Sequence, residues 1–240
     1  MARALPLLAV VGTLSALSIA LAGCASDASD PTATPPVGQV MDVDAAWLDA
    51  GRFIGVVTWG SSTCVPQGGE ATLAREGSIG VVLVDPSETD PERPCTEDLR
   101  PRVTVVGVPL GVDAAAGAEI TVSLGAASGS TSLPALAGAA EPGGSTDYEP
   151  SAGWTATPGT LAYVTWGSST CVPVVQDVAV TGDAQVTVTF QEPDPDRMCT
   201  MDMVPRAGIL EVGEIAAPAG AQLVLIGDSF DGVTVPILGG

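Results

Sequence analysis

The sequence predicts an all-β protein in which one small antiparallel, sandwich-like module occurs twice. Three observations predict it. Ten residues, 57–66, return without a change as 164–173. Apolar residues alternate with threonine at Val186, Val188 and Phe190, which is the two-residue period of a half-buried strand. Glycine and proline interrupt the apolar runs at short intervals, and no helical period persists beyond the N-terminal run.

The N-terminus has the layout of a secretory signal. Residues 1–3 form a short positive start, and residues 5–22 are an almost unbroken apolar run, too short for a permanent membrane span. Leu21-Ala22-Gly23-Cys24 follows, ahead of a polar, proline-rich stretch. In these residues the chain resembles bacterial lipoproteins, whose lipobox ends in Gly-Cys or a close variant.

The resemblance implies that residues 1–23 are a signal peptide, removed before Cys24. It also implies a diacylglyceryl thioether on the Cys24 sulfur and a fatty acid such as palmitate on the new amine. Two or more acyl chains hold a protein stably at a membrane, whereas one is marginal. An alternative stays open, because residues 20–22 also fit an Ala-x-Ala cleavage site that would release a secreted protein with a free Cys24.

Composition divides the rest of the chain. Residues 24–45 are rich in Ser, Asp, Thr, Pro and Gly and predict a flexible tether. Residues 46–136 form the first predicted module, residues 137–153 a Pro/Gly/Ser linker, and residues 154–240 the second module. Trp47 and Trp154 stand at equal distances before the two decapeptides, so the equivalence begins before the identical run.

The strands of the two modules are predicted in matching pairs. Ile79, Val81 and Leu83 correspond to the alternating row of the second module, as expected of a core-facing row. The other predicted strands are 53–59 with 161–166, 102–108 with 206–212, 119–124 with 222–226, and 131–136 with 232–238. An immunoglobulin-like sandwich is the first candidate, although the two cysteines of each module stand closer than in true immunoglobulin domains.

The chain has five cysteines, and one is assigned to the lipid. The remaining four allow three pairings, and duplication selects the one in which each module has its own bridge. The predicted disulfides are Cys64–Cys95 and Cys171–Cys199. Each closes a loop of about thirty residues and should contribute roughly 3–4 kcal/mol on the chain-entropy model. A four-cysteine metal site is the rival, but it needs reduced thiols and usually close Cys-x-x-Cys pairs.

The formal net charge is −20, and every basic residue is an arginine. Nucleic acid is therefore excluded as a partner, because phosphate contacts need clustered positive charge. Anionic lipid would repel the chain, so a lipid anchor must hold it at the membrane. The acidity is explained most simply by solubility, and a cationic partner is the alternative. No cofactor is predicted.

The repeated Trp-Gly-Ser-Ser-Thr-Cys places Ser61 and Ser168 where a nucleophile could stand. A nucleophilic serine needs a base, and the chain contains neither histidine nor lysine. The segment is better explained as a turn that brings the cysteine to its partner. No paired carboxylates stand out for acid–base work, so no enzyme is predicted.

The acidic loops 85–93 and 192–197 could collect oxygen ligands for Ca²⁺. They lack the glycine of an EF-hand bend, contain stiffening prolines and differ in length, so a solvated loop is the simpler explanation. No metal ligand is assigned, and calcium binding at these loops stays open.

Asp98 and Asp202 follow the second cysteine of each module, with Arg102 and Arg206 four residues further on. Because both copies keep them, we predict a structural role: an Asp-capped turn, with a pairing to the arginine as an option. Features kept in both modules report what the fold needs. A binding site unique to one module would lie where the copies differ.

Trp-Gly-Ser-Ser-Thr-Cys with a downstream Cys-Thr-x-Asp resembles surface lipoproteins of Gram-positive actinobacteria across both modules. The resemblance implies a protein tethered to the extracellular face of the cell membrane and supplies no activity. We therefore expect a non-enzymatic binding or cell-envelope interaction role. The alternative is ligand capture for a transporter or sensor, which requires a rigid cleft between the modules rather than independent modules on a flexible linker.

Overall fold

A computed structural model of the chain describes residues 38–74, 77–213, 215 and 218–240. The predicted signal peptide and Cys24 lie outside them. Strands dominate the described residues, which confirms the all-β prediction. The strands are β1 (Gln39–Val40), β2 (Asp44–Leu48), β3 (Phe53–Gly60), β4 (Gln67–Leu73), β5 (Ile79–Val84), β6 (Arg100–Gly107), β7 (Ala118–Leu124), β8 (Ala127–Leu133), β9 (Ser151–Trp154), β10 (Thr160–Gly167), β11 (Val175–Gly182), β12 (Gln185–Phe190), β13 (Val204–Glu211), β14 (Gln222–Gly227) and β15 (Phe230–Leu238).

The helical pieces are short: α1 (Pro86–Thr89) and the 3-10 turns Asp49–Gly51 and Ala114–Ala116. No helix in the described part of the chain has the length and apolarity needed to cross a membrane.

Both modules have the same two-layer architecture. In the first module (β1–β8), a three-stranded sheet β2-β3-β6 faces a second sheet ordered β4-β5-β7-β8, to which β1 adds at the β8 edge. In the second module (β9–β15), the corresponding sheets are β9-β10-β13 and β11-β12-β14-β15. There the end of β15 pairs with β9, so the two sheets join along one edge into seven strands.

The sheets are not purely antiparallel, which corrects one part of the prediction. β5 pairs in parallel with β7, and β12 pairs in parallel with β14. Between β5 and β7 the chain crosses to the other sheet as β6 and returns. Two crossings restore the original direction, so the neighbours run the same way. A pattern of alternating residues carries no information about this direction.

The core of each module lies between its two sheets. Ile79, Val81 and Leu83 are almost fully buried, as predicted, and so is the matching row Val186, Val188 and Phe190. Trp47 is part of the first core, and Trp154 is part of the second. Each indole N–H donates to a proline carbonyl, Trp47 to Pro134 at 2.8 Å and Trp154 to Pro218 at 3.3 Å, so the polar edge of each buried ring is satisfied.

The strands that sequence reasoning missed are polar edge strands or short ones. β4 and β11 each pair with a single neighbour, and most of their side chains are exposed. An edge strand that contributes little to the core shows little apolar alternation. β9 begins at Ser151, within the stretch predicted as a linker.

The three-stranded sheets are buried on both faces because the two modules pack against each other there. Equivalent strands meet: β2 contacts β9, and β6 contacts β13. The contact consists largely of small side chains: Ala46, Val57, Val103 and Ala162, flanked by Ala207 and Ile209. A side chain at Gly153 would collide with the carbonyl oxygen of Trp47, so glycine allows the two backbones to approach.

Hydrogen bonds at two equivalent positions cross between the modules. The buried Asp44 carboxylate accepts from the backbone N–H groups of Ala156 at 2.8 Å and Thr157 at 2.9 Å. Ser151, the equivalent of Asp44, accepts at its hydroxyl from the N–H of Asp49, the equivalent of Ala156, at 2.8 Å. Each module therefore caps the turn of the other, as in a self-complementary interface between two copies.

Candidate functional site

The disulfides join the cysteines that the duplication predicted. Cys64 is bonded to Cys95 and Cys171 to Cys199, each with a Cα–Cα distance of 5.5 Å. They tie the repeated decapeptide to the segment before β6 or β13. The side chains around each disulfide determine whether the loop is reactive or structural.

In the first module, the serine and threonine hydroxyls of the loop bond to one another. The Ser61 hydroxyl lies 2.9 Å from that of Thr96, and the Thr96 amide donates to the Thr63 hydroxyl at 3.1 Å. Asp98 accepts from the Thr96 hydroxyl and from the Ser62 amide, the latter at 3.1 Å. These bonds, first that of Thr96 and then that of Ser62, lower the pKa of Asp98 from 3.8 to about 2.

The second module reproduces this network. The Ser168 hydroxyl lies 2.8 Å from that of Thr200, and Asp202 accepts from the Ser169 amide at 3.1 Å and from the Thr200 hydroxyl. The Ser169 side chain, followed by Thr200, lowers the pKa of Asp202 to about 2. Carboxylates this acidic are weak general bases at neutral pH, and neither serine has a base beside it.

The arginines bind the same loop through its backbone. Arg102 donates from Nη1 to the carbonyl of Cys64 at 2.8 Å, and Arg206 donates likewise to Cys171 at 2.8 Å. A Cβ at Gly60 would lie 2.8 Å from the guanidinium carbon of Arg102, so the glycine of Trp-Gly-Ser-Ser makes room for it. Burial lowers the pKa of both arginines. Among the described residues, ion pairs involve Arg52 and not these two arginines.

A groove of about 500 Å³ separates the two loops, and equivalent residues of the two modules line it. Arg102 and Arg206 both contribute, but their Nη atoms are already engaged by backbone carbonyls. The groove follows from the near-symmetric packing of the two modules.

The two modules differ at the tryptophan that begins the repeated loop. The Trp166 ring packs against Phe53 at 5.7 Å and against Tyr148, edge to face, at 5.3 Å between centroids. Tyr148 adopts a φ of +59°, a conformation uncommon for an aromatic residue, so its position over Trp166 is specified by the surrounding chain. These two rings cover part of Trp166, which is half-buried.

Trp59, the equivalent residue, remains open. Its exposed fraction is 38%, and no aromatic side chain among the described residues contacts it. The positions equivalent to Tyr148 and Phe53 are Met41 and Thr160, which bring no ring. The equivalent tryptophans thus differ in their neighbours: two rings pack against Trp166, and Trp59 is the more exposed of the two.

Trp59 lies in a cleft of about 850 Å³. The first module contributes Trp59 with Asp42, Asp44 and several hydroxyl groups, and the second contributes Thr157 and Pro158. A smaller cavity of about 380 Å³ adjoins it through Met41, Asp42 and Trp59, and adds apolar walls from Leu99, Leu124 and Ala127. We take this cleft, called the Trp59 cleft below, as the candidate site.

The acidic loops predicted to offer oxygen ligands do not form a candidate cation cage. Among the described residues, no group of three or more His, Cys, Asp or Glu side chains is arranged to hold a metal ion. Asp85 instead accepts from the hydroxyl and backbone N–H of Ser87, which lowers its pKa, and caps α1.

Sequence reasoning did not find the Trp59 cleft. Its polar residues carry no motif, and they come from segments far apart in the chain. One available signal was the rule that a site in one module lies where the copies differ: Met41 stands opposite Tyr148, and Asp44 opposite Ser151.

No protein-family model, curated protein or solved structure matches this chain.

Proposed function

We propose that this chain is a lipid-anchored extracellular protein with a non-enzymatic binding role, and that it captures a small ligand in the Trp59 cleft. One observation carries the proposal: an exposed tryptophan lines a cleft of about 850 Å³ to which both modules contribute. Ligand sites are typically concave, with aromatic walls and a few polar groups that set orientation.

The packing of the modules favours capture over an adhesive array of independent modules. Asp44 and Ser151 each bond to the opposite module, and small residues let β2 and β9 approach closely. A cleft whose walls are held in this way needs little reorganisation to bind, which lowers the cost of association. A transporter or sensor is the partner class that such capture would serve.

The binding role is non-enzymatic because the chemical groups of the repeated loops are committed elsewhere. Ser61 and Ser168 bond to threonine hydroxyls, and both arginines bond to backbone carbonyls. The anchor is supported by the lipobox that ends at Cys24 and by the acidity of the chain, which excludes electrostatic attachment to anionic lipid.

The test is a native mass measurement on the protein extracted from its own membrane in mild detergent, without reductant. We expect an acylated Cys24, two intact disulfides and a non-covalently retained mass. The Trp59→Leu variant should lose that retained mass, whereas Trp166→Leu should keep it. A chain released without acyl groups would contradict the anchor. A retained mass that is unaffected by Trp59→Leu would contradict capture in this cleft.

A further inference from the structure

We infer that the ligand of the Trp59 cleft is a small organic cation that carries an ammonium or guanidinium group. The inference rests on the proposed function and specifies the chemistry of the same site. Three features of the cleft support it: an exposed indole, a buried carboxylate that takes no part in the ion pairs of the described residues, and walls without positive charge.

The indole is the first feature. A cation over the face of an aromatic ring is attracted by the ring's quadrupole, and tryptophan is the strongest of the aromatic side chains in this respect. In the second module, the equivalent ring is occupied by Phe53 and Tyr148. At the positions equivalent to those two rings stand Thr160 of the second module and Met41 of the first, and Trp59 is 38% exposed. A ligand can therefore take the place that protein rings take at Trp166.

The buried carboxylate is the second feature. Asp44 is only 4% exposed, and it lines the cleft. Backbone N–H groups of Ala45, Ala156 and Thr157 donate to it, and the ion pairs of the described residues do not include it. A carboxylate can accept about four hydrogen bonds. Three donors leave capacity for one more.

The absence of positive charge from the walls is the third feature. Of the described residues that line the cleft, Asp42 and Asp44 are acidic and none is basic. Asp42 is exposed at the point where the cleft meets the smaller apolar cavity. A formal net charge of −20 on the whole chain adds a long-range field that attracts cations and repels anions. The hydroxyls of Thr121 and Ser130 complete a surface suited to a cation with a polar or apolar body.

The second module provides a matched control within the same chain. Asp42 corresponds to Glu149, which is also exposed and stands beside Tyr148, next to Trp166. Asp42→Asn and Glu149→Gln change the net charge equally. Only the first variant changes the open cleft.

The experiment titrates the acylated protein in mild detergent with choline, agmatine and putrescine, and with 3,3-dimethylbutan-1-ol as the neutral isostere of choline. Tryptophan fluorescence and calorimetry report binding.

We expect at least one cation to bind. If choline is that cation, its affinity should exceed that of its neutral isostere. Trp59→Leu should weaken binding by about tenfold or more. Asp42→Asn should weaken it roughly threefold to tenfold and flatten its salt dependence, with Glu149→Gln unchanged. Unfolding midpoints of the variants check that each one folds.

Three results would overturn the inference. Equal weakening by Asp42→Asn and Glu149→Gln would show a general charge effect rather than a site. Trp59-dependent binding of the neutral isostere, or of a neutral sugar, without any preference for cations would remove the cation and leave ligand capture intact. Failure of every cation and neutral probe to bind in a Trp59-dependent way, together with no retained mass in the native protein, would remove both proposals.

Discussion

Trp59 and Trp166 begin identical loops, and each loop contains a cysteine of the equivalent disulfide. The two tryptophans nevertheless differ in their aromatic neighbours and in their exposure. Around Trp166 the protein supplies Phe53 and Tyr148, and the residue is half-buried. Around Trp59 the first module supplies no ring, and a cleft opens. The hydrogen-bond network of the loops is the same in both modules. The comparison indicates that the repeated residues build the frame, and that the flanking residues decide whether the frame is open.

The largest effect should come from the bonds that hold the two modules together. Asp44→Ala removes an acceptor used by three N–H groups and leaves buried donors unpaired, so we expect a loss of about 4 kcal/mol of unfolding free energy. Ser151→Ala removes one bond at the equivalent position and should cost about 1 kcal/mol. Urea denaturation measures both. Equal losses would mean that the matched bonds do not differ as the structure implies.

The two tryptophans should separate stability from binding. Trp166→Ala removes two aromatic contacts and should destabilise the fold by about 3 kcal/mol. Trp59→Ala should cost about 1 kcal/mol, because the ring is 38% exposed and has no aromatic partner among the described residues.

Thermal unfolding of the two alanine variants, read beside the ligand titration, checks this separation. The comparison would fail if Trp59→Ala proved the more destabilising change.

The smallest effect is a pH dependence that the two modules should share. The pKa values of Asp98 and Asp202 are lowered from 3.8 to about 2. Groups whose pKa is depressed by folding contribute stability that is present above their unfolded pKa and lost as the pH falls through the folded value. Stability should therefore decline between about pH 4 and pH 2.

Asp98→Asn and Asp202→Asn should each reduce this decline by a similar amount, as measured by the unfolding midpoint across that range. A difference between the two variants would show that the networks are not equivalent in solution.

Much of the fold could be predicted from the residues alone. The alternating apolar rows that begin at Ile79 and Val186 lie in the two cores, as predicted. The disulfide pairing that duplication selected is also the one in the structure. Strand direction could not be predicted, because the parallel pairing of β5 with β7 depends on β6 crossing to the other sheet. The edge strands β4 and β11 were missed because most of their side chains are exposed, although Ala71 in β4 and Val175 and Val178 in β11 pack against the cores.

The candidate site was beyond sequence reasoning for a different reason. Asp44, Trp59, Thr121 and Thr157 come from four separate segments, and only packing of the two modules brings them to one cleft. Asp44 illustrates this: in the sequence it is one of 28 acidic residues, and in the structure it is buried and caps a turn of the opposite module.

The sequence by itself determined the all-β class, the duplication and the disulfide pairing, because each depends on residue type and spacing within one module. Tertiary structure decided which face of each module is buried and which of two equivalent tryptophans stays open. The buried face depends on how small residues such as Ala46 and Gly153 let the modules approach. The difference between the tryptophans depends on the packing that places Phe53 and Tyr148 against Trp166. Contacts between distant segments follow from packing geometry, and local sequence patterns do not encode that geometry.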